Sequence, residues 1–202
     1  MAYISSSDVK AWGGIPATDT ADDVELTLLI GRAQQYVDTY TGRTFSDTNA
    51  LSTRYYSASR DVTRGTLWLD KDLFAVGTDG IVAGTDSIAS TDYVTEPRND
   101  APYYALTLTA NTPLSWTEPS SDADYENVIS VHGYWCYSSD PPADIKYAML
   151  RLVKWYYNQG RVTDETANRP IILESGATVL PGTIPSDIHE ILDNYRYRPV
   201  RS

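Results

Sequence analysis

Few residues in the sequence have the types and spacing that a catalytic or metal site requires. The two histidines, His132 and His189, fall in different predicted elements, and the one cysteine, Cys136, follows His132 by four residues in a strand-like run. A zinc site on that strand would need a third ligand, and a packed strand explains both residues without a metal. Asp70 and Asp72 lack the bidentate glutamate that completes a calcium loop, so we interpret them as part of a solvated turn. We expect no metal ion and no cofactor.

Motifs for nucleotide binding and nucleophilic catalysis are also absent from the sequence. It contains no Walker phosphate loop, no dinucleotide glycine fingerprint, no nucleophile-elbow serine and no zinc-protease helix. Gly77, Gly80 and Gly84 are spaced for turns between strands and do not open a helix. A second acidic pair, Asp122 and Asp124, lies in a polar loop, where a solvated turn is the simpler interpretation. We expect that the protein is not an enzyme.

Any functional residue must be positioned by the helices and strands of the chain. The first long element predicted is an amphipathic helix over residues 21–41. Thr20 and Asp23 have the three-residue offset of a capping box, and Gly42 with Arg43 closes the far end. Leu28 and Ile30 flank an apolar face at helical spacing. That face consists of Leu26, Leu29, Ala33, Tyr36, Val37 and Tyr40.

A second long helix is predicted over residues 142–159. Asp140 is the expected N-cap, Pro141 the first helical residue and Gly160 the left-handed residue that ends the helix. Its apolar stripe is too wide to stay in water, so we expect the two long helices to pack against each other in antiparallel fashion. The stripe consists of Ile145, Ala148, Met149, Leu152 and Tyr156, widened by Val153 and Trp155.

Between the helices the periodicity changes to short runs rich in Thr, Tyr, Val and Leu, separated by Gly, Pro, Asn and Asp. One run alternates clearly, because Tyr104, Leu106 and Leu108 would share one face of a strand. The runs predict a small antiparallel sheet, sandwich or partial barrel. The strand candidates are residues 51–57, 66–69, 80–82, 93–94, 103–109 and 127–137.

The sequence therefore predicts an α+β fold, in which an antiparallel core of two long helices carries an inserted antiparallel β-rich subdomain and a short C-terminal helix. We expect a single domain over residues 1–202, with a helical core formed by residues 1–45 and 140–202 and a β-rich insertion at 46–139. Near the C-terminus, two β-branched runs within residues 170–182 predict a projecting hairpin. Residues 185–195 predict the closing helix, and a basic tail follows at 196–202.

Composition and charge limit the classes of function. The formal net charge is −11 and the sequence pI is near 4.5, so the chain lacks the cationic surface that coats nucleic acid, and an acidic wall beside DNA would let it slide. Sixteen tyrosines and five tryptophans against two phenylalanines suit half-buried strand faces or protein interfaces. We see no signal peptide and no apolar run of the ~18 residues that span a membrane, and expect an intracellular product or part of a particle assembled there.

Three segments resemble the head–tail connector family of tailed bacteriophages, the adaptor proteins that dock under the portal. The first has an acidic helix start at Asp22 and Asp23 and the exit Tyr-Thr-Gly-Arg-Thr-Phe at residues 40–45. Residues 142–160 are similar to the second long helix of the family. Residues 184–188, with the aromatic and basic residues 195–198, are similar to its C-terminal end. Together the segments cover roughly the outer half of the chain, and the β-rich insertion looks like that of longer adaptors.

The resemblance implies a structural virion protein at the head–tail interface, assembled in the host cytoplasm. Twelve copies would form a ring that binds the portal protein above and a stopper or tail-completion protein below, and DNA would pass through the channel without specific binding. Heterologous contacts between tyrosine-rich faces could close such a ring. We expect the hairpin and the tail to dock these partners and to order on binding, through Ile171, Ile172, Leu173, Val179, Leu180, Tyr195, Arg196, Tyr197 and Arg198.

Two other classes of function remain open. A stopper or tail terminator would share the β content of the chain but would not need the two-helix frame. A cellular β-rich module for carbohydrate or another ligand would use exposed Trp and Tyr rings for stacking on sugar. Binding of the monomer to glycans would favour the ligand-binding module, and recruitment to a portal ring would exclude it.

Overall fold

A computed structural model describes residues 2–116, 128–161, 171–172, 178–179 and 183–198. The chain divides into two compact units. The helical unit comprises residues 2–42 and 142–196, and the β unit comprises residue 1, residues 43–141 and residues 197–202. Helices and antiparallel sheets together confirm the α+β class. The assignment of residues 1–202 to a single domain stays a prediction.

Five helices are present in the described residues. They are α1 (Ser6–Gly13), α2 (Asp23–Thr41), α3 (Ala58–Asp61), α4 (Ala143–Arg161) and α5 (Ser186–Asn194). All but the single turn of α3 belong to the helical unit. Within that unit α2 contacts α1, α4 and α5, and α4 also contacts α1 and α5.

The start of α2 differs from the predicted capping box. Asp22 is the N-cap residue, and its side chain makes no capping hydrogen bond. Its carboxylate instead accepts a hydrogen bond of 2.6 Å from the Tyr157 hydroxyl, and Asp23 forms an ion pair with Lys10 at 2.5 Å. The carboxylates of this first turn therefore bind α1 and α4, which sequence spacing could not show. The other end is as predicted, because Gly42 follows α2 in the left-handed conformation at φ 70°.

The predicted ends of the second long helix are wrong by a few residues. Neither Asp140 nor Pro141 belongs to the helix, which begins at Ala143, where the amide of Lys146 donates to the Pro142 carbonyl at 3.0 Å. A residue that precedes proline is driven out of the helical region, so Pro141 cannot start a helix that runs through Pro142. Gly160 does not end α4, which continues to Arg161.

Burial in the helical unit follows the predicted stripe of α4 closely and that of α2 only in part, because Leu29, Tyr36 and Tyr40 are half-buried. In α4 five side chains are fully buried, namely Ile145, Ala148, Met149, Leu152 and Val153. In α2 the buried residues are Leu26, Ile30, Ala33, Val37 and Thr41. The prediction that Leu28 flanks the buried face is wrong, because its side chain is 69% exposed.

The β unit contains two four-stranded antiparallel sheets. The strands are β1 (Leu51–Tyr56), β2 (Val62–Thr63), β3 (Thr66–Leu73), β4 (Ala75–Ala83), β5 (Asp86–Ile88), β6 (Tyr93–Glu96), β7 (Tyr103–Leu108) and β8 (Ile129–Tyr134). One sheet has the order β1-β8-β4-β5 and the other the order β2-β3-β7-β6. Both contribute to one core around Leu67, Leu73, Ile81, Leu106 and Ile129. A short hairpin of β9 (Ile171–Ile172) and β10 (Thr178–Val179) lies in the helical unit.

All six predicted strands coincide with observed ones, and two short strands, β2 and β5, were missed. Gly77 and Gly80 do not form a turn as predicted, because they lie within β4, at an irregularity of its pairing with β8 between Val76 and Ile81. Gly80 supplies the left-handed conformation there, with φ 67°. The solvated turn predicted at Asp70 and Asp72 is also wrong, because both lie in β3 and Asp72 is only 7% exposed.

In the parts of the chain that the structure describes, no helix combines the length and the apolar character needed to cross a membrane.

Candidate interface surfaces

The residues that could have carried chemistry take part in packing. The thiol of Cys136 is buried, and burial raises its pKa to about 11. In β8 the His132 ring bonds through Nδ1 with Thr53 Oγ1 at 2.9 Å, and its Nε2 lies 3.6 Å from Asp79. His189 bonds instead with the Tyr36 hydroxyl at 2.9 Å. Among the described residues, no group of three or more His, Cys, Asp or Glu side chains could hold a metal ion.

An aromatic cluster joins α2 to α5 within the helical unit. The rings of Tyr36 and Tyr40 stack at 5.8 Å, one helical turn apart, and His189 stacks on Tyr40 at 5.4 Å. The Tyr40 hydroxyl donates to Asp193 at 2.8 Å, and this hydrogen bond raises the pKa of Tyr40. The Arg196 guanidinium lies 5.8 Å from the centre of the Tyr40 ring. The cluster thus holds the end of α5 and the first residues of the tail against α2.

The four tail residues predicted to dock a partner have two different environments. Arg196 and Arg198 are exposed, and Tyr195 and Tyr197 are half-buried. In the β unit the Tyr197 hydroxyl donates to the Leu69 carbonyl at 3.3 Å, and the Lys71 ammonium lies 5.9 Å from its ring. The tail therefore exposes two guanidinium groups, while its two tyrosines are half-buried.

A charged cluster in the β unit surrounds Arg43, which sequence analysis placed only at the end of a helix. Its Nε lies 3.4 Å from the carboxylate of Asp72, and the guanidinium lies 4.7 Å from the Tyr137 ring and 5.7 Å from the Tyr197 ring. Burial raises the pKa of Asp72, although Arg43 and Lys71 oppose that shift. The only sequence signal for this cluster was the motif at residues 40–45 that contains Arg43.

The predicted hairpin is formed by the described residues of its two strands. Ile171 pairs with Val179, and Ile172 pairs with Thr178, in antiparallel register. Two other predicted docking residues, Leu173 and Leu180, lie outside the described residues. Two two-residue strands give a hairpin only a short hydrogen-bonded ladder, which is marginal in water unless other groups support it.

The helical unit also exposes large apolar side chains on α2, where the sequence pattern did not predict exposure. Val24 is 78% exposed and Leu28 is 69% exposed, one turn apart on α2. Elsewhere in the unit an open groove lies between α1, α2 and α4. Its lining is mainly apolar and includes Val9, Trp12, Ile15, Leu26, Val153 and Tyr157. Apolar surface of this kind is typical of protein interfaces.

No known protein family matches the sequence, and no curated protein matches it either. One solved structure with a similar fold is a chain of the neck of an empty GTA particle, computed with C6 symmetry. The two chains superpose with a TM-score of 0.58 over 98% of this chain and 92% of the other, and 10% of their residues are identical. This protein therefore shares its fold, over nearly its whole length, with a chain from the neck of that particle.

Proposed function

We propose that the protein is a structural component of the neck of a tailed-phage-like particle, where it acts as a head–tail connector of the adaptor type. Copies would form a ring beneath the portal, extend the DNA channel and present the docking site for the stopper or tail. The observation that carries the proposal is the fold shared with a chain of a particle neck over nearly the full length of both. The match includes both the helices and the β unit, as an adaptor with an inserted sheet would require.

The symmetry of the similar structure and the charge of this chain also support the proposal. The similar structure was computed with C6 symmetry, and a ring of twelve copies contains a sixfold axis. A twelve-membered ring with a charge of −11 per copy would present a strongly acidic surface. Such a surface does not release counterions from DNA and does not hold it, which suits a channel through which DNA must slide.

We propose that the hairpin and the tail are the docking elements and that each contacts a partner through a different kind of interaction. The exposed guanidinium groups of Arg196 and Arg198 can form bidentate hydrogen bonds with carboxylates of a partner. The hairpin strands Ile171–Ile172 and Thr178–Val179 carry β-branched residues, so they can extend into the sheet of a partner or pack on it. Leu173, Leu180, Tyr195 and Tyr197 complete the proposed docking set.

Hydrogen exchange tests the docking elements directly. We expect fast amide exchange at residues 169–181 and 197–202 in the isolated protein, and strong protection in the assembled ring, because docking removes these amides from water. The amides of Tyr195 and Arg196 already donate to the carbonyls of Leu192 and Asp193. Helix α4 provides the internal control, since its buried amides should be protected in both states. Fast exchange that stays unchanged in the assembled ring would remove both segments from the docking set.

Recruitment to purified portal rings tests the adaptor assignment. The protein should co-sediment with portal rings of its source phage, and the double variant Arg196→Ala/Arg198→Ala should bind more weakly. Arg60→Ala/Arg64→Ala is a matched control, because it removes two exposed arginines from the β unit. Binding only to tail or stopper proteins would instead favour a stopper or tail terminator. Binding to neither side would contradict a role in the neck.

A further inference from the structure

The ridge formed by Val24 and Leu28 and the apolar groove lie on different sides of the helical unit. Successive residues of an α-helix are rotated by about 100°, so Leu26 points about 180° away from the mean direction of Val24 and Leu28. Leu26 is 3% exposed and lines the groove, whereas the two ridge residues are the most exposed large apolar side chains of the described chain. One helix therefore supplies a projecting apolar surface on one side and a wall of an apolar groove on the other.

We infer that the ridge of one copy inserts into the groove of the next copy, so that α2 forms the repeating contact of the ring. A contact between two different surfaces of the same chain is heterologous, and it closes into a ring when the rotation per copy allows it. A twofold dimer would instead need one self-complementary surface. This inference rests on the proposed function, which requires a ring.

The backbone next to the ridge allows a close approach. Gly31 follows Leu28 by three residues on the same side of α2, and a Cβ atom added there would meet no other atom within 4 Å. A neighbouring helix could therefore approach the α2 backbone at Gly31, which would let Val24 and Leu28 project into the groove.

The groove offers a suitable receiving surface. Trp12 is 38% exposed, and its ring contacts Tyr147 at 6.5 Å edge to face and lies 5.2 Å from the Lys154 ammonium. Lys154 and Asn158 are exposed residues of the groove lining on α4. Glu25 lies beside the ridge on α2, so the exposed ammonium of Lys154 would approach a carboxylate of the neighbouring copy.

Disulfide trapping tests the contact. The only native cysteine, Cys136, is buried with a raised pKa and should not react. We would oxidise the double variant Leu28→Cys/Asn158→Cys, alone at high concentration and after addition of portal rings. Non-reducing electrophoresis should show a ladder of covalent oligomers. The control Thr39→Cys/Asn158→Cys places the first thiol about 16 Å further along α2 and should give no ladder.

A substitution in the ridge then tests its role. Val24→Lys, added to Leu28→Cys/Asn158→Cys, should lower the cross-linked fraction about tenfold or more, because a second ammonium would enter the apolar groove beside Lys154. Thr39→Lys in the same background should leave the fraction unchanged, and both variants should keep the parental thermal midpoint, since the changed side chains are exposed.

Three results would overturn the inference. The first is the absence of a ladder in both conditions. The second is a disulfide within one chain, which would show that the chain itself brings the ridge and the groove together, and the third is dimers from Leu28→Cys alone, which would show a symmetric contact. Recruitment to portal rings without a ladder would contradict only the ring contact. A ladder without recruitment would contradict only the proposed role beneath the portal.

Discussion

Single carboxylates carry the clearest energetic consequences of the fold. Asp72 is buried beside Arg43, whereas Asp70 receives hydrogen bonds from Arg54 at 2.7 Å and from Tyr56 at 2.8 Å at a more exposed site. The sequence shows only two acids separated by one lysine, which is typical of a solvated turn. Their different environments depend on arginines that are 29 and 16 residues away in the chain, so local spacing could not predict them.

These two arginines provide a matched pair for mutation. Arg43→Met should destabilise the protein by about 3 kcal/mol, because it leaves the Asp72 carboxylate buried without its counter-charge. Arg54→Met removes the partner of an exposed carboxylate and should cost about 1 kcal/mol or less. Urea unfolding of both variants would measure the difference. Equal losses of stability would contradict the assignment of Asp72 as the buried partner.

The raised pKa of Asp38 should make the stability of the helical unit depend on pH. Burial raises the pKa of its carboxyl from 3.8 to about 6, although the Tyr3 hydroxyl donates to it at 2.5 Å and lowers the pKa. The folded protein therefore binds more protons than the unfolded chain between these two values, and the free energy of unfolding should fall as the pH rises through them. We expect the free energy of unfolding to fall by about 1 kcal/mol, because solvent screens a carboxyl group that is only partly buried.

Unfolding curves of the wild type and of Asp38→Asn between pH 4 and pH 7 would test this dependence. The contribution of Asp38 should be missing from the variant. Tyr3→Phe should raise the pKa of Asp38 further, because the donor that favours the carboxylate is removed. An unchanged slope in Asp38→Asn would assign the pH dependence to other groups.

At the scale of elements, the sequence predicted which helices and strands exist better than it predicted the residues at which they begin and end. Both long helices and six strands follow from hydrophobic periodicity, because burial of one face imposes that periodicity directly. The helix ends were predicted less well, because Asp22 and Asp23 bind α4 and α1, and Pro142 prevents a helix start at Pro141. The strands β2 and β5 have two and three residues, which is too short for an alternating pattern.

Helix α5 should be a stabilising part of the helical unit. Ile188 and Leu192 are fully buried, and α5 contacts both α4 and α2. Leu192→Ala should therefore cost about 2–5 kcal/mol, through lost burial and the cavity that remains. Asn194→Ala, at an exposed position of the same helix, should change stability by no more than about 0.5 kcal/mol. Calorimetry of the two variants would measure this, and similar small effects would show that α5 is not held by its apolar face.

At the scale of the whole molecule, the proposed interface surfaces were harder to predict than the fold. The resemblance rests on short segments at the outer parts of the chain, and the fold shared with a neck chain occurs at 10% identity. The same fold therefore accommodates widely different sequences, and surface residues are the least constrained by it. Leu28 is an example of a surface residue that the sequence did not predict, because helical spacing alone placed it beside the buried face of α2, whereas its side chain is exposed.

Imaging of particles that lack this protein tests the central claim most directly. An amber stop early in the gene of the source phage, grown in a non-suppressing host, would remove the protein from assembling particles. The account predicts filled or leaked heads beside separate, finished tails, and restored joining when the purified protein is added back. Normal tailed particles would contradict a role at the head–tail joint.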